Sequence, residues 1–539
     1  MAMGREQRKG RLIRLFVVGS LVYTLLMSCV HVHLESIDGN IKKVFFQTSS
    51  NPILNPNPNT KLHQDPSTQR ITTEQSSHKL AGLSCLSYGG PSNDIASEMV
   101  YWEDIPTDAK YKSPFHKHDR VQYITFEFEN AGFNNNRMNL EIMLAMAAAT
   151  GRTLVLPAAE ELCHLRSRSG HDGSSQESAF SFQDFYHMDS ISREHDGVKI
   201  ITMEEFLTRE AVTGNLKDKD GLVVYPPHGR TRWDRAGHDT IQYELEHYLR
   251  TVGHKAGWDS AVCEVAFPKS TDSKDMEELK DLIRSVLKDG GFRSYQAFVG
   301  HPVPVDASAK DRLREGAAGR MKLCIYDEMI QEVKLLHFAG GKTECLTGSD
   351  VVGVKAPPQD ERPEYEGVRN LVHFYAFMFF QDWKDDLWMK RFIRDHVRYS
   401  DEIQCAAARV VDALREHARS PTNPNGDFDS FHIRRGDFVT LNRVFDSVKI
   451  LNMSQPEIKP GSTVYIATDE KDRRFFDPLG TQYKLFFLDD FKHLLHGFNT
   501  NKYGMLDQLV AARGRVFFGC WFSTVSMNRI DRWKTVHVL

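Results

Sequence analysis

The chain has 539 residues, enough for more than one domain, and two domains are expected. With 41% hydrophobic and 26% charged residues it has the composition of an ordinary globular protein, which excludes a wholly disordered or fibrous chain. The formal net charge is -4; five basic residues and one glutamate among the first fourteen give +4, so the remainder carries -8. A mildly acidic body lacks the basic face that general nucleic-acid binding requires, so no nucleic-acid partner is expected.

An apolar segment follows the basic start. Leu15 to Val30 has no charged side chain, and as a helix it would extend about 24 Å, enough for the thinner membranes of the early secretory pathway. A cleaved signal peptide has a similar pattern, but no small-x-small cleavage site follows. We therefore expect a cytosolic tail over residues 1–14, an uncleaved transmembrane signal anchor over 15–34 and a lumenal body, which describes a single-pass type II protein of the endoplasmic reticulum or Golgi membrane.

Residues 35 to about 84 have the composition of a flexible stem. They contain few apolar positions and no hydrophobic period, so they cannot bury enough surface to offset the entropy lost on ordering. We expect a tether here and extend the stem or linker through residue 117. The predicted domains are then 118–354 and 355–539, and the boundary falls at the hydrophilic break KAPPQDERPEYE.

The first domain opens with a β-loop-α-β unit. VQYITFEFE, from Val121, alternates between apolar and polar residues, is rich in β-forming residues and predicts a strand. NAGFNNNR then predicts a turn, MNLEIMLAMAAAT a helix and TLVLP a second strand. In the turn, Gly132 lets a ligand approach the backbone, and the asparagines after Phe133 offer donors and acceptors. An asparagine that caps the next helix is the structural alternative. Glu277 to Lys288 predicts a further helix.

Four short strands recur in the second domain, namely FDSFHI, TVYIAT, YKLFFL and RVFFGCWF, and helices or loops separate them. This alternation predicts a mostly parallel sheet with helices on its faces. The expected fold class is α/β, with two Rossmann-like halves facing a cleft. In open α/β sheets ligands collect beyond the carboxyl ends of the strands, so the loops at those ends hold the candidate functional residues.

The first of these strand ends concentrates positive charge. Side chains alternate along a strand, so His432 and Arg434 share one face and Arg435 points to the other. The planar guanidinium of Arg434 can bind two phosphate oxygens at once, which favours a diphosphate ligand. A strand end with solvated arginines and an ordinary turn is the structural alternative.

Two later loops offer further polar groups. Asp469 follows TVYIAT and can accept hydrogen bonds from a sugar or base. Ser523 and Thr524 follow RVFFG, where hydroxyls and backbone amides at a helix start can bind phosphate. Capping of the next helix is the alternative for both loops. Asp427 and Asp429 could hold a divalent ion, but they precede their strand and belong to the opposite sheet edge, so no metal site is expected.

The cysteines suit a lumenal protein. Cys29 lies in the anchor and leaves seven beyond it, which form at most three intramolecular disulfides. Cys520, inside VFFGCWF, is the expected buried free thiol. Asn452 begins a glycosylation sequon whose polar surroundings predict a surface loop.

Together these segments resemble the GDP-fucose protein O-fucosyltransferase family. AGFNNNRMNLE and TGRTLVLP are similar to the family's Gly-Phe-Asn-Asn loop, helix and second strand, and FHIRRGDF is similar to its His-x-Arg motif. TVYIATDE is similar to its downstream strand and acidic turn, and YGMLDQLVAARGRVFFGCWFSTVS to its last helix, strand and phosphate-binding turn. The similar blocks extend from Val121 to Asn528. The anchor and stem also resemble those of type II Golgi glycosyltransferases.

The resemblance implies a GT-B architecture, with GDP-fucose held mainly by the C-terminal half and the acceptor bound across the cleft. It implies that Arg434 contacts the diphosphate, and that fucose is transferred with inversion to a hydroxyl of a protein, such as Ser or Thr, or of a glycan. It also implies no metal or other cofactor, because arginine takes the metal's place. With the loops described above, the candidate substrate-binding residues are Gly132, Phe133, Asn134, Arg137, His432, Asp469, Ser523 and Thr524.

One position departs from the family pattern. Some members carry a glutamate immediately before Gly-Phe-Asn as the general base, whereas this chain has Ala131. Glu129 would face the same side if the strand extends that far, and it is the substitute candidate for the catalytic base. The missing glutamate leaves one rival function, a non-catalytic sugar-nucleotide- or glycan-binding membrane protein. The resemblance leaves another, transfer of a different deoxyhexose such as rhamnose, because plant relatives of this superfamily use different donors.

Overall fold

The computed structural model describes residues 80–100, 102–129, 131–162, 179–227, 238–260, 263–288, 307–316, 322–341, 375, 377–436, 446–520 and 536–538. The predicted tail, the anchor and the stem up to residue 79 lie outside these ranges, as do Ser523 and Thr524. Within the ranges, no helix combines the length and the apolar composition needed to cross a membrane.

The described strands are β1 Tyr123–Phe126, β2 Thr153–Val155, β3 Glu160–Glu161, β4 Ala179–Phe180, β5 Lys199–Ile201, β6 Cys263–Phe267, β7 Lys322–Ile325, β8 Leu335–Phe338, β9 Met378–Phe380, β10 Asp429–Ile433, β11 Thr463–Thr468, β12 Lys484–Phe487, β13 Phe517–Gly519 and β14 Val536–Val538. The described α-helices are α1 Asn93–Met99, α2 Phe133–Thr150, α3 Met188–Glu194, α4 Met203–Phe206, α5 His238–Val252, α6 Ser273–Lys288, α7 Ala309–Gly316, α8 Glu328–Glu332, α9 Trp383–His396, α10 Asp401–Ala418, α11 Ser447–Ser454, α12 Asp477–Gly480 and α13 Tyr503–Ala511.

These strands build parallel sheets, which confirms the predicted α/β class. One sheet has the order β5-β2-β1-β8, a second β7-β6-β9 and a third β12-β11-β10-β13-β14. Neighbouring strands in all three run parallel, whereas β3 and β4 form a small antiparallel pair. In the first and third sheets the chain order reverses at β1 and at β10, and such switch points open a crevice beyond the strand ends.

Strands β10 and β13 of the third sheet, and β11 up to its last residue, are buried on both faces, as expected for the inner strands of a parallel sheet. On one face Phe431 stacks on Phe518 with ring centroids 5.2 Å apart, and Ile433 and Ile450 belong to the same cluster. Helices α10 and α13 pack against each other, and α13 also packs on β10 and β11. The four predicted strands of this half are thus confirmed.

The predicted linker is wrong from Leu80 onward. Leu80 and Cys85 are fully buried, and a disulfide joins Cys85 to Cys405 on α10. Asp108 receives two guanidinium hydrogen bonds from Arg391, at 2.7 and 2.8 Å. A disulfide and long-range arginine contacts hold this segment in place. It does not bury one regular face, so its sequence shows no hydrophobic period.

The predicted domain boundary at residue 355 does not separate the sheets. Strand β9 pairs with β6, with Met378 opposite Val265, and helix α9 packs on α2. Strand β9 and helix α9 therefore belong with the first half of the chain. The third sheet begins only at Asp429.

Two local expectations about the surface change as well. Among the described cysteines, Cys263 also pairs with Cys324, and Cys520 is free as predicted, but it is partly exposed rather than buried. Asn452 is exposed, yet it lies in helix α11 and not in a loop. The hydroxyl of Ser454 is buried and donates to the carbonyl of Leu451 at 2.9 Å.

Candidate active site

The switch point of the third sheet brings the carboxyl ends of β10 and β13 side by side. His432 of β10 lies opposite Gly519 of β13 and opposite Ala467 of β11. The residues that follow each strand therefore meet at one edge, where the crevice of an open α/β sheet forms. Arg434 leaves β10 at this edge, and Asp469 leaves β11 beside it.

Arg434 and Asp469 form an ion pair at this edge. The Nε of Arg434 lies 3.2 Å from Oδ2 of Asp469, and the two side chains are 29% and 30% exposed. The other oxygen of Asp469 accepts the backbone N–H of Arg435 at 2.7 Å. At position 436 any Cβ would lie 2.5 Å from Oδ2 of Asp469, so glycine permits this close approach. One carboxylate thus fixes both the turn and the orientation of the arginine.

Arg435 contacts a different set of partners. Its Nε donates to Oε2 of Glu470 at 2.5 Å, and its guanidinium lies 3.8 Å from the centre of the Phe475 ring. The two arginines therefore diverge, as strand alternation predicts. Arg435 supports the loop after β11, while Arg434 stays at the open edge of the sheet.

His432 is a neutral imidazole at physiological pH. It is 7% exposed, and burial together with the nearby charge of Arg434 lowers its pKa to about 3. The sequence places an imidazole and two guanidiniums at this strand end. Because His432 is neutral, only Arg434 and Arg435 carry positive charge there. His432 can therefore orient a ligand by hydrogen bonding but adds no charge.

Asp507 on α13 escaped the sequence analysis. Its Oδ1 accepts the hydroxyl of Tyr465 at 2.5 Å, on the sheet face that also carries His432. Burial and the nearby Asp489 raise the pKa of Asp507 to about 7, although the hydrogen bond from Tyr465 opposes the shift. The available signal was a single carboxylate in the otherwise uncharged helix YGMLDQLVA.

This raised pKa predicts how stability depends on pH. Between about pH 4 and 7 the native state holds a proton on Asp507 that the unfolded state has released, so this residue lowers the free energy of unfolding as pH rises. Asp507→Asn should remove that contribution while keeping an acceptor for Tyr465. We expect the variant to gain stability relative to the wild type as pH rises across this window, measured by urea unfolding. A wild-type-minus-variant difference that is constant with pH would contradict the assignment.

The switch point of the first sheet carries the loop between β1 and α2. Strand β1 ends at Phe126, so the alternation that linked Glu129 to Ala131 does not reach them, and both are buried in the loop. Helix α2 begins at Phe133 with Gly132 as its N-cap, which places the three asparagines inside the helix instead of the predicted turn.

Asn136 binds the preceding loop, and no asparagine side chain caps α2, which was the structural alternative for this segment. Its side chain accepts the backbone N–H of Glu129 at 2.7 Å and donates to the carbonyls of Glu129 and Ala131 at 3.1 and 3.2 Å. The loop is thereby clamped onto the first turn of α2. Gly132 and Asn134 are partly exposed next to this clamp, and Phe133 is buried.

Glu127 is the second residue that sequence reasoning missed. Its carboxylate receives two hydrogen bonds from Arg250, at 2.7 and 2.6 Å, and one from the backbone N–H of Gly340 at 3.1 Å, while Nε2 of His337 lies 3.2 Å away. Burial alone would raise the pKa of Glu127, but these partners lower it to about 2. A carboxylate so engaged is a poor base, so Glu129 is the better candidate in this loop.

Arg137 lies within the protein. Its Nε donates to Oε1 of Glu141 at 2.9 Å, and its guanidinium lies 5.4 Å from the centre of the Tyr399 ring. Burial would lower the pKa of Arg137, but the charge of Glu141 outweighs it and the pKa is raised. Arg137, a candidate substrate-binding residue from the sequence, thus has its guanidinium held by Glu141 and Tyr399 within the fold.

Asp429 was expected to precede its strand, but it is the first residue of β10, and its carboxylate accepts hydrogen bonds from protein donors. Asp429 is 1% exposed and accepts Nη2 of Arg515 at 3.0 Å and the backbone N–H of Val516 at 3.1 Å. It lies at the amino edge of the sheet, opposite the edge of Arg434. Among the described residues, no group of three His, Cys, Asp or Glu side chains could hold a metal ion.

The fold and this site define an α/β protein with an arginine–aspartate ion pair beyond a strand end at a sheet switch point. The family model described as GDP-fucose protein O-fucosyltransferase matches residues 123–532, more than half of the chain, and the chain belongs to that family. No curated protein matches it.

Solved structures to which the chain is similar include POFUT1 and NodZ. POFUT1 in complex with GDP-fucose is 11% identical, with 79% of this chain and 99% of that chain covered and a TM-score of 0.33. The alpha-1,6-fucosyltransferase NodZ co-crystallized with GDP is 13% identical, with 76% and 92% covered and a TM-score of 0.31. NodZ from Bradyrhizobium is 14% identical, with 76% and 93% covered and a TM-score of 0.30.

Proposed function

We propose that this chain transfers fucose from GDP-fucose to a hydroxyl acceptor, a Ser or Thr of a protein or a glycan, with inversion at the anomeric carbon. The observation that carries this proposal is Arg434, held by Asp469 at the switch point of the third sheet within a chain of this family. Ser523 and Thr524, which lie outside the described residues, complete the phosphate contacts in this proposal. In this proposal the three sheets form a GT-B arrangement, and the third sheet, the donor sheet, binds GDP-fucose.

Charge explains why an arginine at this place promotes the reaction. As the bond between fucose and GDP lengthens, negative charge grows on the diphosphate and positive charge on the sugar. A fixed guanidinium stabilises that diphosphate more in the transition state than in the ground state. Asp469 orients Arg434 and the Gly436 turn in advance, so little reorganisation is needed when the charge develops.

Acceptor activation falls to the loop between β1 and α2. Glu129 takes the proton from the acceptor hydroxyl in this proposal, and Gly132, Phe133 and Asn134 border the donor from the same loop. Two observations support Glu129: it is buried in that loop, and the neighbouring Glu127 is already engaged by Arg250 and His337. The position of Ala131 leaves Glu129 as the nearest carboxylate upstream of Gly132.

Turnover by the full chain in detergent solution tests the function. GDP release from GDP-fucose should be faster than from GDP-mannose and should depend on a peptide or glycan acceptor. Release of UDP from a UDP-linked deoxyhexose would favour the rhamnose alternative instead. Tight binding of GDP-fucose without any release would favour the non-catalytic alternative, which the missing glutamate at position 131 makes worth testing.

Donor binding should not need a divalent ion. Arg434 supplies the positive charge at the diphosphate, and Asp429 is held by Arg515 at the opposite edge of the sheet. We therefore expect EDTA to change the dissociation constant of GDP by less than about twofold in calorimetry. A loss of about tenfold, equivalent to roughly 1.4 kcal/mol, would indicate a metal that bridges the diphosphate.

The protein should act in the lumen of the endoplasmic reticulum or Golgi. The basic start before an apolar segment supports a single-pass type II anchor, and the Cys85–Cys405 and Cys263–Cys324 disulfides fit an oxidising compartment. In sealed microsomes the body should resist added protease, and glycosidase should shift its mobility if Asn452 is modified. Digestion of the body from outside would overturn this topology, and an unshifted band would remove only the glycan.

A further inference from the structure

Three buried rings from distant parts of the chain pack together behind the β1–α2 loop. The ring centres of Phe133 and Tyr399 are 6.2 Å apart, those of Phe133 and Tyr186 6.3 Å, and those of Tyr186 and Tyr399 5.4 Å. Each pair is stacked, and none of the three residues is more than 8% exposed. Phe133 is the first residue of α2, next to the Gly132 N-cap. The position of this loop is thus tied to Tyr399.

Arg137 joins the same group from one turn further along α2. Its guanidinium covers the ring of Tyr399 at 5.4 Å and is held there by Glu141 at 2.9 Å. The side chains of Arg137 and Glu141 are 16% and 10% exposed. A partly buried guanidinium held between a carboxylate and an aromatic face has few alternative orientations.

Tyr399 connects this group to helix α13, which packs on the donor sheet. Its hydroxyl donates to Oε1 of Gln508 on α13 at 2.6 Å. The preceding residue, Asp507, accepts the hydroxyl of Tyr465 on β11. Helix α13 packs on β10 and β11 and leads directly into β13, whose carboxyl end flanks Arg434. Five side chains therefore connect the start of α2 to the donor sheet: Phe133, Tyr399, Gln508, Asp507 and Tyr465.

We infer that Arg137 and Tyr399 are positioning residues that fix the β1–α2 loop relative to the donor sheet through Gln508. Arg137 acts on Tyr399, and Tyr399 acts on α13. This inference rests on the proposed function, and it assigns to Arg137 a role other than direct contact with GDP-fucose. It predicts that a variant that breaks this connection has a lower kcat, because transfer needs the β1–α2 loop and the donor sheet in register. GDP binding should not change, because it uses the donor sheet alone.

Tyr399→Phe and Arg137→Lys test the inference in the full chain in detergent solution. The first keeps the stacked rings and deletes the hydroxyl that reaches Gln508; the second keeps the charge and loses the planar group over Tyr399. The matched control is Tyr483→Phe, since Tyr483 is also buried and its hydroxyl contacts Ser454 at 3.0 Å, on elements away from α2 and α13. Melting temperatures check that all three variants fold.

Each variant of the connection should lower kcat for fucose transfer by about tenfold, with the dissociation constant of GDP within about twofold of the wild type. The control should change neither by more than about twofold. Hydrogen exchange supplies a second measurement: GDP should slow exchange of the first amides of α2 in the wild type and in the control, but not in Tyr399→Phe.

The outcomes separate this inference from the proposed function. A wild type that binds no GDP overturns the function and the connection together. A wild type that binds GDP, with Tyr399→Phe keeping both its kcat and the slowed exchange of α2, overturns the connection alone. An Arg137→Lys variant that weakens GDP-fucose binding while Tyr399→Phe is unchanged would show that Arg137 contacts the donor.

Discussion

Arg434→Lys should lower kcat for fucose transfer by at least about a hundredfold, equivalent to roughly 2.7 kcal/mol of transition-state stabilisation. Lysine keeps the charge but loses the planar fork that can contact the diphosphate while Nε stays paired with Asp469. Because the effect belongs mainly to the transition state, the Michaelis constant for GDP-fucose should change less than kcat. Initial rates over a range of GDP-fucose concentrations measure both.

Arg435→Lys is the matched control for this prediction. Arg435 is the neighbouring arginine and has a similar exposure, but its guanidinium contacts Glu470 and the Phe475 ring instead of the open edge. Arg435→Lys should lower the melting temperature, and it should lower kcat much less than Arg434→Lys does. Melting temperatures are measured for both variants. Equal losses of kcat, or a larger loss for Arg435→Lys, would show that the wrong arginine has been assigned to the diphosphate.

Glu129→Gln should also lower kcat on the order of a hundredfold or more, because an amide cannot accept the proton of the acceptor hydroxyl. The substitution keeps the size of a side chain that is 3% exposed, so the loop should hold its shape. GDP binding should stay within about twofold, since Glu129 lies on the first sheet's side. The acid limb of the kcat–pH profile should disappear together with the carboxylate.

A rescue variant sharpens this test. Ala131→Glu places a carboxylate at the position used by other family members, and in the Glu129→Gln background it should restore part of kcat if this loop faces the acceptor. A Glu129→Gln enzyme with unchanged kcat and an unchanged acid limb would contradict the assignment of the base. Ala131 is 5% exposed, so the melting temperature of the rescue variant must be measured as well.

The sequence was a good guide to the third sheet. FDSFHI, TVYIAT, YKLFFL and RVFFGCWF are short apolar runs bounded by turn residues, and each contains a strand. Arg434 and Arg435 have different side-chain partners, as expected, although β10 ends at Ile433 and both arginines lie beyond it. Local patterns therefore suffice for the strands themselves, and the loops after them depend on contacts such as those of Asp469 and Glu470.

Long-range contacts account for what the sequence did not reveal. Glu127 and Asp507 look like ordinary polar positions, and only the approach of Arg250 and Tyr465, far away in the chain, gives them buried partners. The same holds for Leu80 to Phe115, which the Cys85–Cys405 disulfide and distant arginines hold against the body. Strand β9 pairs with β6, more than a hundred residues earlier, which no local period encodes.

Calorimetric titration of the full chain in detergent solution with GDP-fucose, GDP and UDP tests the central claim most directly. Transfer from GDP-fucose requires a guanine nucleotide site at the Arg434 edge of the third sheet. We expect GDP and GDP-fucose to bind in the presence of EDTA, and UDP to bind at least about tenfold more weakly than GDP. Arg434→Lys should weaken the binding of GDP more than that of GDP-fucose, because GDP carries the negative charge that develops on the diphosphate in the transition state. Equal affinity for UDP and GDP, or GDP binding that is indifferent to Arg434→Lys, would contradict the account.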